Sequence, residues 1–370
     1  MEEIIMKKKV LALLLSSVMT AALLAGCGSD NGTTGSSNST ANNVANNAST
    51  TGSTDGTESN GTEKEADSSN ESASDGQVYK IGICQLIEHE ALDAATQGFE
   101  QALIDLVGEE NVEFYFQNAQ GEQTNCATIC TTFVADGVDL ILANATAPLQ
   151  AAAAATNEIP ILGTSITDYA TALDISDWSG TTGTNVSGAS DLAPIDEQEA
   201  MLVELFPDAE KVGILYCSAE PNSKYQADLF IEALEADGIE YEEFTAADSN
   251  EIQSVVTSAC ESCDVLYIPT DNTMAAATET INNVCLPAGV PVIASEEGIC
   301  RGCGVATLSI NYFDIGYTAG EMAYEVLVNG ADISSMDIRY ASEVTKKYNE
   351  AIAAELGITI PEDYSGLGVE

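Results

Sequence analysis

KIGICQL (residues 80–86) and KVGILYC (residues 211–217) are one strand written twice, and that repetition decides the fold. Each is a continuous apolar run of strand length, the pattern of a strand buried on both faces. The correspondence continues downstream of both. VDLILANATAPLQAAAAAT (138–156) answers DVLYIPTDNTMAAATETIN (264–282), and IPILGTS (159–165) answers VPVIASE (290–296). Between the first pair, Leu92, Ala95, Phe99, Leu103 and Leu106 recur at helical spacing and predict a helix over 91–107. A strand over 112–119 and a helix over 124–137, stopped at Gly137, come next. Alternation of this kind predicts an α/β fold of two Rossmann-like lobes. Each has a parallel sheet covered on both faces through right-handed crossovers.

After the second copy the chain adds a strand (305–312), a helix (313–330), a strand MDIRYAS (336–342) and a last helix from Thr345 to Leu356. These let it cross back to the first lobe and return, which makes a three-segment hinge. The expected division is 78–188 plus 309–335 for lobe 1 and 189–308 plus 336–370 for lobe 2.

The N-terminal region reads differently. Lys7-Lys8-Lys9, an apolar run from Val10 to Leu24 and then Leu24-Ala-Gly-Cys27 form a secretory leader over 1–27. That tetrapeptide resembles the bacterial lipobox, whose cysteine, here Cys27, carries the lipid. Residues 28–77 are nearly all Ser, Thr, Asn, Gly, Asp and Glu and predict a disordered tether with a reach of roughly 40 Å. The expected location is the outer face of the cytoplasmic membrane.

A net charge of −48 argues against nucleic acid and against a polybasic hold on lipid, since both need Lys and Arg. Catalysis is not expected: His89 is the only histidine, and no nucleophile elbow, Walker loop or G-x-G-x-x-G occurs. No cofactor is implied. Cys84, Cys126, Cys130 and Cys217 fall at core positions. Cys260, Cys263, Cys285, Cys300 and Cys303 could be free thiols, a disulfide or a structural metal site, with no metal the favoured reading.

Ligands of parallel α/β sheets bind beyond the carboxyl ends of the strands. Here those loops are rich in hydroxyls, amides and carboxylates and poor in cations, with Lys224 the nearest candidate. An Arg clamp for a phosphorylated ligand is missing. A zwitterion fits better. Its ammonium would face one of Glu88, Asp168, Asp191, Asp271 and Glu296. Its carboxylate would meet helix N-termini and the hydroxyls of Thr146, Thr164 and Thr273. Asn144, Asn222 and Asn272 complete the expected site, with His89 stacking on or bonding to the ligand. Tyr169, Trp178, Tyr312 and Phe313 are candidates for an aromatic wall.

Glu88-His89-x-Ala91-Leu92-Asp93, Gln117-Asn-Ala-Gln-Gly121, Ser190-Asp-Leu-Ala-Pro194, Ser218-Ala-Glu-Pro-Asn-Ser223 and Pro269-Thr-Asp-Asn-Thr273 stand in order along the chain. Together they resemble the substrate-binding lipoproteins of tryptophan/tyrosine-type ABC transporters, which have the type I periplasmic-binding-protein fold. The resemblance implies a monomeric receptor that captures an aromatic amino acid and delivers it to an ABC permease with its ATPase. Tyr169 stands where the family often has proline, and its added ring leaves two readings open, a narrower pocket or a changed ligand preference. Two alternatives remain: a receptor for a nucleoside or other neutral small molecule, and a metal- or redox-handling surface lipoprotein that uses the cysteine pairs.

Overall fold

The computed structural model describes residues 77–341 and 343–368. The leader, Cys27 and, apart from Gln77, the tether lie outside them. Among the described residues no helix is long and apolar enough to cross a membrane.

The two copies form two sheets of the same winding. The first contains β1 (Tyr79–Gln85), β2 (Val112–Asn118), β3 (Leu140–Asn144), β4 (Ile161–Ile166) and β5 (Val186–Ser190) in the order 2-1-3-4-5, all parallel. The second repeats that order with β6 (Lys211–Cys217), β7 (Glu240–Ala246), β8 (Val265–Ile268), β9 (Val292–Ala294) and β10 (Ala306–Ser309). Small details recur as well. The Lys80 amide donates to the Asp139 carboxylate at 2.8 Å, and the Lys211 amide donates to Asp264 at 2.9 Å.

Helices cover both faces. In the first lobe these are α1 (Glu90–Val107), α2 (Gln123–Asp136), α3 (Thr146–Ala155) and the single turn α4 (Tyr169–Ala172). In the second they are α5 (Ile195–Leu205), α6 (Pro221–Asp237), α7 (Ile252–Ser262), the single turn α8 (Asn272–Ala275), α9 (Thr278–Ala288) and α10 (Glu297–Cys303). Each sheet therefore has an apolar cluster on either side, such as Ile81, Phe99 and Leu142 on one face of the first and Cys84, Leu149 and Ile141 on the other.

The tail departs from its sequence reading in two places. After α11 (Tyr312–Leu327), which packs in the first lobe against α1, comes β11 (Arg339–Tyr340). That strand pairs in parallel with β5, so residues expected in lobe 2 extend the first sheet. The chain then crosses, and Thr345–Tyr348, expected to open the last helix, is strand β12, antiparallel to β10. Thr345 and Tyr348 suit a strand. The helix waits for Asn349, whose Oδ1 accepts from the Ala351 and Ile352 amides and starts α12 (Glu350–Leu356). The short β13 (Ser365–Gly366) joins β12 at the edge. Three segments thus cross between the sheets: after β5, after β10 and after β11.

Candidate functional site

Where the strand ends of the two sheets face each other lies a small chamber of about 10 Å³, which is room for roughly one water. First-lobe walls come from His89, Ala91 and Leu92 at the start of α1 and Ser165 at the end of β4. Asn222, Thr270, Asp271, Asn272, Ala275 and Glu296 come from the second lobe, and Asp191 and Tyr312 from two of the crossings. No Lys or Arg lines it. A wider mouth of about 530 Å³ adjoins it, shares Asn222 and Asn272, and is bordered by Thr146, Thr273, Leu86 and Glu220.

The carboxylates are of two kinds. Asp271 and Glu296 are helix caps. Asp271 Oδ1 accepts from the Met274 amide at 2.8 Å and Oδ2 from the Cys217 amide at 2.7 Å. Glu296 accepts from the Gly298 and Ile299 amides at 2.6 and 2.5 Å. Asp191 is held by hydroxyls instead: Thr167 Oγ1 donates to Oδ1, and Tyr312 Oη donates to Oδ2, both at 3.0 Å. All three are almost fully buried. Burial pushes each carboxyl above its usual range, Glu296 to about 7, and for Asp271 the neighbouring Glu220 adds to the rise. A cation between them would relieve that cost.

The first-lobe wall is built differently. The N-cap of α1 is His89, whose side chain makes no cap, so the first amides of the helix are left without a side-chain partner, and its first turn carries Glu90 and Asp93. Ser165 sits at φ +57° where the pairing of β4 with β5 slips, and its buried hydroxyl has no protein partner. Bulges of this sort re-aim side chains beside sites.

The lobes also touch directly. His89 Nε2 lies 3.2 Å from Asn272 Oδ1, where it donates; burial lowers its pKa and keeps the ring neutral. Gln226 Nε2 donates to Thr167 Oγ1 at 3.0 Å, and Arg301 Nε donates to Glu90 Oε2 at 2.9 Å.

Of the residues expected from sequence, His89, Asp191, Asn222, Asp271, Asn272 and Glu296 meet in the chamber, and Thr146 and Thr273 border the mouth. The others sit elsewhere. Glu88 is exposed. Asn144 is fully buried and ties β3 to α1 through the Leu92 carbonyl at 2.8 Å. Thr164 is fully buried in β4, and Asp168 caps α4 through the Thr171 amide. Lys224 is exposed and pairs with Asp228 one turn along α6.

Of the aromatic candidates only Tyr312 lines the chamber. Trp178 packs on the first core, and Phe313 is exposed. Tyr169 does not narrow the pocket. Its ring is buried against Gly163 and Gly188, where a Cβ would come within 2.5 and 2.3 Å of its hydroxyl. Among the residues that escaped the sequence reading are Ser165, since nothing in the strand pattern marks its bulge, and Glu220. Glu220 accepts from the Asn272 and Thr273 amides at 3.0 and 2.8 Å and so holds α8 in place. Its position just before Pro221, the first residue of α6, was the available signal.

The family of ABC transporter substrate binding proteins matches residues 80–368. The chain belongs to that family. It is 33% identical over 348 residues to the tyrosine-binding protein of Clostridioides difficile strain R20291, covering 94% of this chain and 91% of that one. Among solved structures, an ABC domain in complex with L-Trp from Streptococcus pneumonia is 33% identical with a TM-score of 0.74, covering 77% of this chain and 97% of that one. The ligand-free, open structure of a Clostridium difficile substrate binding protein with adhesive properties is 37% identical, with a TM-score of 0.62 and coverage of 79% and 100%. The two-lobed architecture is the type I periplasmic-binding-protein fold. This member resembles the Trp-bound relative more in shape, although it is nearer the open one in sequence.

Among the described residues no group of three or more His, Cys, Asp or Glu side chains is arranged to hold a metal.

Proposed function

We propose that this ABC substrate-binding protein captures an aromatic amino acid, Trp, Tyr or Phe, by closing its lobes around the zwitterionic head. The observation that carries this reading is the polarity of the chamber. Buried carboxylates without a cation line one wall, and the uncapped start of α1 lies on the other. The ligand ammonium would sit on Asp191, whose two partners are hydroxyls able to rotate. Its carboxylate would take the first amides of α1 and the Ser165 hydroxyl. The ligands of two relatives, tyrosine and L-Trp, point to the aromatic class. Because contacts come from both lobes, the ligand favours the closed state and marks the receptor as loaded for a permease and its ATPase.

A neutral nucleoside suits this chamber less, since the two rings that line it, Tyr312 and His89, stand among three buried acids. Calorimetric titration with the twenty amino acids tests the proposal. Trp, Tyr or Phe should bind most tightly, and the absence of any binding below about 100 µM, near −5.5 kcal/mol, would reject it.

The Leu24-Ala-Gly-Cys27 sequence supports a lipid anchor at Cys27 on the outer membrane face. Cys27→Ala should release the protein from membranes into the medium; unchanged membrane retention would contradict the anchor.

A further inference from the structure

The cysteines singled out in the sequence have no part in the chamber. All nine described cysteines are free, and eight are buried. Cys260 alone is part-exposed, on α7. Its sulfur lies 3.6 Å from that of Cys285, a buried residue of α9. The two C-x-x-C pairs do not behave as pairs. Cys263 is buried in the core with Leu266, and the Cys303 thiol donates to the Ile299 carbonyl at 3.4 Å.

We propose that Cys260 and Cys285 form a thiol–disulfide exchange site that reacts with low-molecular-weight disulfides and closes to a cross-link between α7 and α9. The Cys260 thiolate attacks one sulfur of the small disulfide, forming a mixed disulfide and releasing one thiolate. Cys285 loses its proton, attacks the Cys260 sulfur and expels the second small thiol. Two protein thiols are oxidised, and one small disulfide is reduced to two thiols. Accessibility assigns the roles: an incoming disulfide reaches Cys260, and the sulfur that lies against it to resolve the adduct is that of Cys285. The contact with Cys285 lowers the Cys260 pKa, while that contact and burial raise that of Cys285, in keeping with attacking and resolving roles. The segment closed by the bond contains β8, Asp271 and Asn272, so the cross-link ties together both ends of a cleft loop. An extracytoplasmic receptor meets conditions in which such bonds persist.

The test is incubation of the folded, reduced protein with oxidised glutathione, then alkylation and non-reducing peptide mapping. The expected product has lost two hydrogens, carries no glutathione and links the Cys260 and Cys285 peptides. Cys285→Ser should stop at a glutathione adduct on Cys260, Cys260→Ser should take up neither, and Cys263→Ser should behave as wild type. Failure of wild type to cross-link, or a bond or adduct at any other cysteine, overturns the proposal. The wild-type map stands even if a variant fails to fold.

Discussion

The two lobes share a sheet order and a lysine–aspartate tie, yet their helices open onto the cleft in opposite ways. In the first lobe α1, α2 and α3 begin at His89, Glu122 and Ala145 with no side-chain cap. In the second, α8 and α10 begin at Asp271 and Glu296, each of which caps its own helix with a carboxylate. The contrast is sharpest at matched positions: Ala145 follows β3 as Asp271 follows β8, and Ala145 is held at φ +96° where Asp271 is extended. At these positions the first lobe leaves helix ends bare where the second caps them with acids, while α4 of the first lobe is capped by Asp168 and α6 of the second begins at Glu220 without a side-chain cap. On the proposed reading, the two copies share one frame, and differences at a few loop residues make the gap between them complementary to a zwitterion.

Three substitutions and one pH dependence probe that difference. Asp191→Asn keeps the shape but removes the charge on the crossing. It should weaken amino-acid binding by about 2–5 kcal/mol, read by calorimetry, while the thermal midpoint of the empty protein holds or rises.

The second is a pH effect on the empty protein. Glu296 keeps its proton in the fold to about pH 7, whereas an unfolded glutamate loses it near 4.3. The folded state therefore binds more protons between those values, so its extra stability is complete below about 4.3 and is lost as pH rises through about 7. The loss is on the order of 3 kcal/mol, with Asp191 and Asp271 acting in the same direction. Urea unfolding across that window should show the decline, and Glu296→Gln should flatten it. Equal slopes in the two proteins would remove the account of Glu296.

Third, Ala145→Gly relieves a backbone conformation that suits glycine and should raise stability by roughly 1 kcal/mol, after allowing for glycine's greater freedom when unfolded. A fall in denaturation midpoint would show that the turn is not strained. Fourth, Arg301→Gln removes an exposed bridge to Glu90 between the lobes. It should cost less than about 1 kcal/mol of ligand affinity, and the difference from wild type should vanish at high salt.

Much of the fold was legible in the chain. Repeated apolar runs such as 80–86 and 211–217 report burial directly, because a strand covered on both faces must be apolar throughout. The cleft loops came from the rule of strand ends. What the sequence concealed was orientation. Asn144 and Thr164 lie on the correct strands but point into the core, and only side-chain packing decides that. Ser165 was missed because its bulge arises from pairing with β5. The place of Tyr169 was not legible because the glycines that make room for its ring, Gly163 and Gly188, lie on β4 and β5. The strand at 345–348 was hidden by the helix after it, whose true start is the cap at Asn349.

The central claim is that the amino group of the ligand, and not its ring alone, is what the buried acids recognise. Titration of the bound aromatic amino acid against its analogue lacking only that amino group tests this most directly. The account predicts that the analogue loses at least about 30-fold in affinity, the lower end for an unpaired buried charge, and that Asp191→Asn narrows the gap. Equal affinity of the two compounds for the wild-type receptor would contradict it.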